Sequence, residues 1–405
     1  MTDIKNIFLK FFEYIFVFSI VIDAGTQYVH LINFSMAHTI LFVMLVISGL
    51  GIFFCSNIKF KAINNAALII LFLILYFSVF LIFQKVGRLD ALKYFLPLLI
   101  IILVLRTCYK TNDVRLLCIY RDMLTVIAGI SLFFWLFGSI LKVISPTGTV
   151  LSTWTGQNYV KSVPSFFGIY FQPQMTLFTG WSISNFARNS AIYVEAPIAS
   201  LNFCLALGVN LFLEKKPSRI KTCILILAVL STTSAMGFLI LLLCVLGKIL
   251  TSNNRIKFIS FFKIFVLPFL IIIAILAGIV IFNQKMSVNS GFLRIDDFLA
   301  GFKAWLMHPI FGSGIGNQQL IFDNMSLSRL TTSQLGISNS VAIILAEGGA
   351  YIGFLYVFCF VRAIIVFFRE KKYNYLLFCF IFLIVLCNNA IPFIYLTFLI
   401  LVWMI

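Results

Sequence analysis

The chain has 405 residues, of which 62% are hydrophobic, 16% aromatic and only 11% charged, and its formal net charge is +17. Soluble domains contain about 45–50% apolar and about 25% charged residues, so this composition excludes a soluble globular enzyme. Apolar segments long enough to cross a hydrocarbon layer of about 30 Å recur along the whole sequence. The composition therefore predicts an all-α polytopic integral membrane protein that forms a single domain over residues 1–405.

The apolar stretches predict the membrane spans in chain order. They cover residues 7–22, 37–55, 66–83, 92–105, 123–143, 197–213, 223–250, 264–282, 341–361, 375–387 and 390–405. The stretch 223–250 is too long for one span, because its 28 residues would form a helix of about 42 Å. Its centre is interrupted by Ser231-Thr232-Thr233-Ser234 and by Gly237. This stretch therefore predicts two short spans joined by a polar turn, which gives about twelve spans in total.

The basic residues predict the orientation of the spans. With both termini in the cytoplasm, 20 of the 30 Lys and Arg residues lie on the cytoplasmic side, as the positive-inside rule requires. The only two long connections, residues 145–196 and 283–339, then lie on the outer face. The basic excess is thus mainly topological, with contacts to anionic membrane lipids as a second effect. No cluster of residues predicts binding to nucleic acid.

The first long loop leads into a span through residues 188–197, which include two charged candidates. Proline is favoured at the first position of a helix and disfavours helix in the residue before it, so a helix is predicted to begin at Pro197. Glu195 would then lie at the positive end of the helix dipole. In one interpretation Glu195 only caps the helix and Arg188 contacts lipid headgroups. In the other, both residues line an outward cavity in which Arg188 binds a phosphate in fork geometry.

The second long loop predicts an interfacial amphipathic helix within residues 290–307. Asp296, Asp297 and Lys303 fall opposite its apolar side, and Arg294 lies at the edge of that side. The apolar residues at helical spacing are Ile295, Phe298, Leu299, Phe302, Trp305 and Leu306. The alternative is a helix packed on the bundle, with Arg294 bound to headgroups.

Two further segments contain candidate ligand-binding residues. His308 precedes a glycine-rich segment with Gly312 and Gly314, and alternating glycines let a backbone approach a phosphate closely. A tight turn under the loop is the alternative interpretation. Asn339 opens the next span and Glu347 lies about two turns inside it, where small neighbours allow close helix packing. The alternative for Glu347 is a structural hydrogen-bonding group.

In their order and spacing these features resemble the O-antigen polymerase and ligase family. The resemblance covers residues 188–349 in its motifs and the whole chain in its layout. It rests on Tyr193 and Glu195 before a span, the Ser/Thr turn, Arg294 in the second loop, the segment His-Pro-x-x-Gly-x-Gly-x-Gly-Asn, and Asn339 with Glu347-Gly348. Ligases of this family tend to have histidine before the asparagine, whereas this chain has Ser338. The difference favours a polymerase (Wzy-like) over a ligase.

The resemblance implies a GT-C-like glycosyltransferase of the bacterial inner membrane, multi-pass, with its active site facing the periplasm. Its substrates would be oligosaccharide repeat units linked to undecaprenyl diphosphate, and a chain-length regulator protein is a candidate partner. The enzyme would transfer the growing glycan to a sugar of another lipid-linked unit and would need no cofactor. The alternatives are an O-antigen ligase and a flippase or transporter for lipid-linked oligosaccharides. A flippase would predict charges along a path through the bundle.

This chemistry assigns a role to each candidate residue. Cleavage of a sugar–phosphate bond leaves negative charge on the diphosphate, which Arg188 and Arg294 are expected to stabilise. Glu195 is expected to orient or deprotonate the acceptor hydroxyl. The expected substrate-binding residues are Tyr193, His308, Gly312, Gly314, Asn339 and Glu347. No metal site is expected, because the sequence contains no cluster of metal-ligating residues.

Overall fold

The computed structural model describes residues 2–31, 36–56, 63–83, 88–110, 113–153, 160–173, 175–176, 186–251, 290–331 and 336–405. The chain is mostly helical, as predicted. The helices are α1 (Thr2–Asp23), α2 (Ala37–Cys55), α3 (Ile63–Phe83), α4 (Arg88–Cys108), α5 (Arg115–Phe134), α6 (Ala196–Gly208), α7 (Arg219–Ser231), α8 (Ala235–Thr251), α9 (Ser290–Met307), α10 (Gln319–Asp323), α11 (Leu327–Thr331), α12 (Ser340–Arg369), α13 (Tyr373–Asn388) and α14 (Tyr395–Met404). The predicted span 264–282 lies outside the described residues.

Four of the described helices are long and apolar enough to cross a membrane. They are α2, α5 with its π-helical extension Trp135–Ile140, α6 with its π-helical extension Val209–Leu213, and α12. Shorter apolar helices of 10–17 residues accompany them, α8, α13 and α14 among them. These helices are consistent with a membrane protein. The count of about twelve spans and the GT-C-like arrangement stay predictions.

Helices α7 and α8 form a hairpin, and residues 232–234 join them where the polar run predicts a turn. Lys248, near the end of α8, donates a hydrogen bond to the carbonyl oxygen of Leu211 at 3.0 Å, so the open end of the hairpin lies beside the end of α6. At the opposite end of the hairpin, the backbone amide of Asn189 donates a hydrogen bond to the carbonyl oxygen of Ser231 at 3.1 Å. We call this second end, where α6 begins and α7 turns into α8, the loop end of the bundle.

The first long loop corrects the all-α prediction, because it contains two small antiparallel sheets. The strands are β1 (Gly148–Ser152), β2 (Lys161–Phe166), β3 (Tyr170–Phe171), β4 (Met175–Thr176) and β5 (Phe186–Ala187). They pair as β1-β2-β3 and as β4-β5. Phe166 and Tyr170 pack against Phe134 at the end of α5, so aromatic residues bury one side of the larger sheet. The sheet is therefore anchored to the bundle.

Helix α9 occupies the predicted amphipathic segment, and its apolar side is exposed. Ile295, Phe298 and Leu306 are exposed, whereas Asp297 on the opposite side is buried. A Cβ atom at Gly301 would lie only 2.6 Å from the Cβ of Ala342, so α9 packs closely on the first turn of α12. The helix thus uses its small and acidic residues for packing within the protein, which leaves the apolar side available for a membrane interface.

A buried ionic cluster fixes α9 to the start of α12. Arg329 is only 2% exposed and donates to Asp297 at 2.5 Å and to Asp296 at 3.3 Å. The second oxygen of Asp297 accepts from the backbone amide and hydroxyl of Ser338 at 2.8 and 2.7 Å. Arg329 also donates to the carbonyl oxygen of Gly336 at 2.7 Å. This cluster holds the helix that presents Arg294.

Candidate active site

Arg188 and Arg294 line one cavity of about 210 Å³ at the loop end of the bundle. The first turns of α6 contribute Pro197, Ser200 and Leu201 to its wall. The rest of the wall comes from the 232–234 turn, the start of α8 and the residue after α13, namely Thr233, Ser234, Ala235, Met236, Gly237, Ile240 and Asn389. Residues from both long loops thus meet over the ends of three helices.

The position of Arg188 follows from the segment that joins β5 to α6. Its Nε atom donates to the carbonyl oxygen of Thr232 at 3.0 Å. The neighbouring Asn189 is fully buried, and its amide group donates to the hydroxyls of Ser131 and Ser231 at 3.2 and 2.8 Å. Burial lowers the pKa of Arg188, and the charge of Glu195 opposes that shift. Arg188 is therefore fixed against the polar turn between α7 and α8.

Arg294 is presented by the first part of α9 and contacts the end of α13. Its Nη1 atom donates to the side-chain oxygen of Asn388 at 3.1 Å. Burial lowers the pKa of Arg294, and the charges of Asp297 and Glu195 oppose that shift. The second loop thus brings a guanidinium group to the same cavity as the first.

Arg188 and Arg294 each donate a hydrogen bond to a neutral oxygen, whereas three other arginines pair with carboxylates. Arg115 pairs with Glu13, Arg121 with Asp122 and Glu214, and Arg329 with Asp296 and Asp297. Among the described residues, no carboxylate forms such an ion pair with Arg188 or Arg294. Both guanidinium groups consequently keep charge that an anion in the cavity can bind.

Glu195 lies directly before α6, and its charge acts on both cavity arginines. The helix begins at Ala196, one residue earlier than predicted, with Pro197 in its first turn. Glu195 occupies the N-cap position of the helix, and its side chain makes no capping hydrogen bond. Its role stays a prediction. Glu195 does not itself line the cavity.

The 232–234 turn adds a strained residue and a helix N-terminus to the cavity wall. Thr233 has a φ of +48°, which is a rare and strained conformation for a β-branched residue. In the described part of the chain its buried hydroxyl has no hydrogen-bond partner. Helix α8 begins just after it, and the positive end of a helix dipole attracts anions. The turn therefore adds a hydroxyl donor and further positive potential to the arginines.

Gly237 keeps this wall open beside Ser200. A Cβ atom at position 237 would collide with the Ser200 hydroxyl oxygen, so only glycine fits there without a shift. Ser200 is almost fully buried and lines the cavity with Gly237. Close contact between α6 and α8 thus brings one further hydroxyl to the site.

The glycine-rich segment packs into a break in α12 rather than lining the cavity. Gly349 has a φ of +62° and interrupts the helix. The amides of Ser313 and Gly314 donate to the carbonyl oxygens of Ala346 and Glu347 at 2.8 and 2.9 Å. A Cβ atom at Gly312, which has a φ of +71°, would collide with the Glu347 backbone. The alternating glycines therefore allow two backbones to pack against each other.

The remaining predicted binding residues are also not among the residues that line the cavity. Glu347 is buried and accepts a hydrogen bond from the Gly316 amide at 2.7 Å. Asn339 caps α12 by accepting from the Val341 amide at 2.9 Å. Tyr193 is fully buried, which raises its pKa, whereas His308 is exposed. A role of Tyr193, His308, Gly312, Gly314, Asn339 and Glu347 in substrate binding stays a prediction.

Sequence reasoning missed several residues of the site. The sequence pattern predicts Thr233 only as part of a turn, and it indicates no ligand-binding role for Ser200, Asn388 or Asn389. The available signal was that each is a polar residue near the end of an apolar stretch that leads to or from the outer face.

The described residues contain no group of three or more His, Cys, Asp and Glu side chains that could hold a metal ion. The polar side chains that line the cavity are two guanidiniums, three hydroxyls and the amide of Asn389. The guanidiniums and hydroxyls can bind an anion. No protein-family model, curated protein or solved structure matches this chain.

Proposed function

We propose that this chain is a membrane glycosyltransferase that polymerises a surface polysaccharide such as O-antigen. It transfers glycan from undecaprenyl diphosphate to the sugar of another lipid-linked repeat unit, at the periplasmic face of the bacterial inner membrane. The observation that carries the proposal is that Arg188 and Arg294, from separate long loops, line one cavity. The sequence resemblance to O-antigen polymerases supports it.

The arginines act on the departing group. The bond between the anomeric carbon and the phosphate oxygen breaks, and the diphosphate leaves with the electron pair. Two guanidinium groups held in advance by Thr232 and Asn388 stabilise that developing charge without further reorganisation. The start of α8 adds a favourable dipole. The barrier to cleavage is lowered by as much as the cavity stabilises the transition state, with its developing charge on the diphosphate, more than the bound donor.

Glu195 acts on the acceptor. The acceptor hydroxyl oxygen attacks the anomeric carbon and forms the new glycosidic bond, and its proton passes to the Glu195 carboxylate. The electrostatic influence of Glu195 on both arginines supports this role for its carboxylate.

The test is reconstitution of the purified chain in liposomes with undecaprenyl-diphosphate-linked repeat units. The wild-type protein should produce a ladder of longer glycans. Arg188→Ala and Arg294→Ala should each abolish elongation at normal protein levels. The control is Arg219→Ala, which removes an exposed arginine at the start of α7. The other end of that helix leads into the turn that lines the cavity.

The other outcomes of this experiment identify the alternatives. Movement of lipid-linked units across the bilayer without growth would indicate a flippase. Transfer only to added lipid A-core would indicate a ligase. Full-length ladders in both alanine variants would refute the proposed roles of the two arginines.

A further inference from the structure

Asn388 holds Arg294 with a neutral oxygen, and the orientation of its amide group is defined by its contacts. Its nitrogen donates to the carbonyl oxygen of Ile384 at 2.9 Å, so its oxygen faces the Arg294 guanidinium at 3.1 Å. Only the oxygen of an asparagine amide can accept a hydrogen bond. The end of α13 therefore presents an acceptor, and not a donor, to Arg294.

The backbone that follows Asn388 is also fixed. The Ser340 hydroxyl donates to the carbonyl oxygen of Asn389 and accepts from the amide of Ile391 at 2.9 Å. Ser340 is fully buried in the first turn of α12, the helix on which α9 packs. Asn388 and Arg294 are thus attached to the same rigid support, so their contact does not depend on a mobile side chain alone.

A second asparagine makes the same type of contact in a different electrostatic setting. The Asn210 oxygen accepts from Arg121 at 3.4 Å, but Arg121 also pairs with Asp122 and Glu214. The charge of Arg121 is therefore compensated within the protein. At Arg294 the amide is the only hydrogen-bond acceptor among the described residues, and no carboxylate there forms an ion pair with it, so its charge is less compensated than that of Arg121.

We propose that Asn388 is a positioning residue that aims Arg294 at the cavity and, by being neutral, leaves its charge for the ligand. With Arg188 lining the same cavity, each guanidinium can bind one phosphoryl group, so the site prefers a diphosphate to a single phosphate. This inference rests on the proposed function, because it specifies how the diphosphate of the donor is recognised.

The test measures binding of inorganic diphosphate and of inorganic phosphate, separately, to the full purified chain by calorimetry. Wild-type protein should bind diphosphate more tightly than phosphate. Asn388→Asp keeps the shape and the acceptor but adds a negative charge, so it should weaken diphosphate binding by about tenfold or more. Asn388→Leu removes the acceptor without adding charge, and it should reduce the preference for diphosphate by a smaller factor.

The matched control is Asn210→Asp, the same substitution beside an arginine that is already compensated. It should leave the affinity for diphosphate unchanged. Thermal unfolding of each variant shows whether it is folded, and the leucine variant carries the test if the aspartate variant does not fold. In the liposome assay, Asn388→Asp should raise the KM for the donor by the same factor as the dissociation constant, which a purely structural defect would not do.

The outcomes separate this inference from the proposed function. Equal diphosphate affinity in wild type and both Asn388 variants would overturn the role of Asn388, while the arginine variants would still test glycan transfer. A wild-type protein that binds no diphosphate would overturn the inference and remove the basis of the proposed function. If Asn388→Asp binds diphosphate more weakly than the wild type does, but the wild type does not elongate glycans, the anion site would be supported and polymerisation would be refuted.

Discussion

Arg188 and Arg294 come from different long loops, yet they line the same cavity of about 210 Å³, each oriented by a neutral oxygen. A guanidinium offers paired donors in a planar fork, whereas a lysine ammonium offers the same charge without that geometry. We therefore expect Arg188→Lys and Arg294→Lys to retain slow elongation, with kcat/KM lowered by about ten- to hundredfold, because a hydrogen bond to a charged group contributes about 1.5–3 kcal/mol. Initial rates in the liposome assay measure this. Lysine variants as inactive as the alanine variants would show that charge alone does not suffice.

The contact between Gly237 and Ser200 predicts a pair of coupled mutations. Gly237→Ala should lower the melting temperature and the activity, because its Cβ would collide with the Ser200 hydroxyl oxygen. Ser200→Ala removes that oxygen, so the double variant should recover part of the stability, with a coupling energy of about 0.5–3 kcal/mol. Thermal unfolding of both single variants and the double variant gives the coupling. Strictly additive effects would contradict the collision.

The buried cluster around Arg329 predicts a large loss of stability when one partner is removed. Asp297→Asn leaves Arg329 buried with weaker compensation, so the free energy of unfolding should fall by about 3–5 kcal/mol. The control is Glu370→Gln, which breaks the exposed pair with Lys372 and should cost about 0–1 kcal/mol. Denaturant titration of the purified protein compares them. Equal losses would show that the cluster does not anchor α9.

His30 lies outside the predicted membrane-spanning segments, and its burial predicts that the stability of the protein depends on pH. Burial lowers its pKa to about 4 from 6.5, and the neighbouring His38 acts in the same direction. Between these values the unfolded chain binds more protons than the folded protein, so stability is retained above about pH 6.5 and is lost as the pH falls toward 4. His30→Gln should therefore reduce the drop in melting temperature between pH 7.5 and pH 5.

The control for that measurement is His308→Gln at an exposed position, which should leave the wild-type pH dependence as it is. If His30→Gln showed the full wild-type drop, another group would have to be responsible for it.

The helical parts of the fold were predictable because a long apolar run has few alternatives. The turn at residues 232–234 and helix α9 both lie where polarity and helical spacing indicate. The sheets of the first loop were not predictable in the same way. Their aromatic residues, such as Phe166 and Tyr170, are buried against Phe134, which is a partner that local sequence does not reveal.

The candidate site was predictable only in part, for the same physical reason. Arg188, Glu195 and Arg294 stand out because a charge near a membrane is costly unless it has a use. Arg329 has the same property but is compensated by aspartates from another helix, so only coordinates distinguish it from Arg294. The glycines of the second loop indicate close approach correctly, but the partner is the backbone of α12.

Substitution of Gly312 or Gly349 by alanine is therefore predicted to disturb the packing of the loop against α12. Both have a positive φ, and a Cβ atom at either would collide with the backbone of the other segment. Gly312→Ala and Gly349→Ala should each lower the free energy of unfolding by more than 1 kcal/mol, because strain and collision add together. Gly129 on α5 is the matched control, since its added Cβ meets nothing within 4 Å. Gly129→Ala should be neutral or stabilising by up to about 1 kcal/mol, and equal effects at all three positions would contradict the packing of the loop into the break of α12.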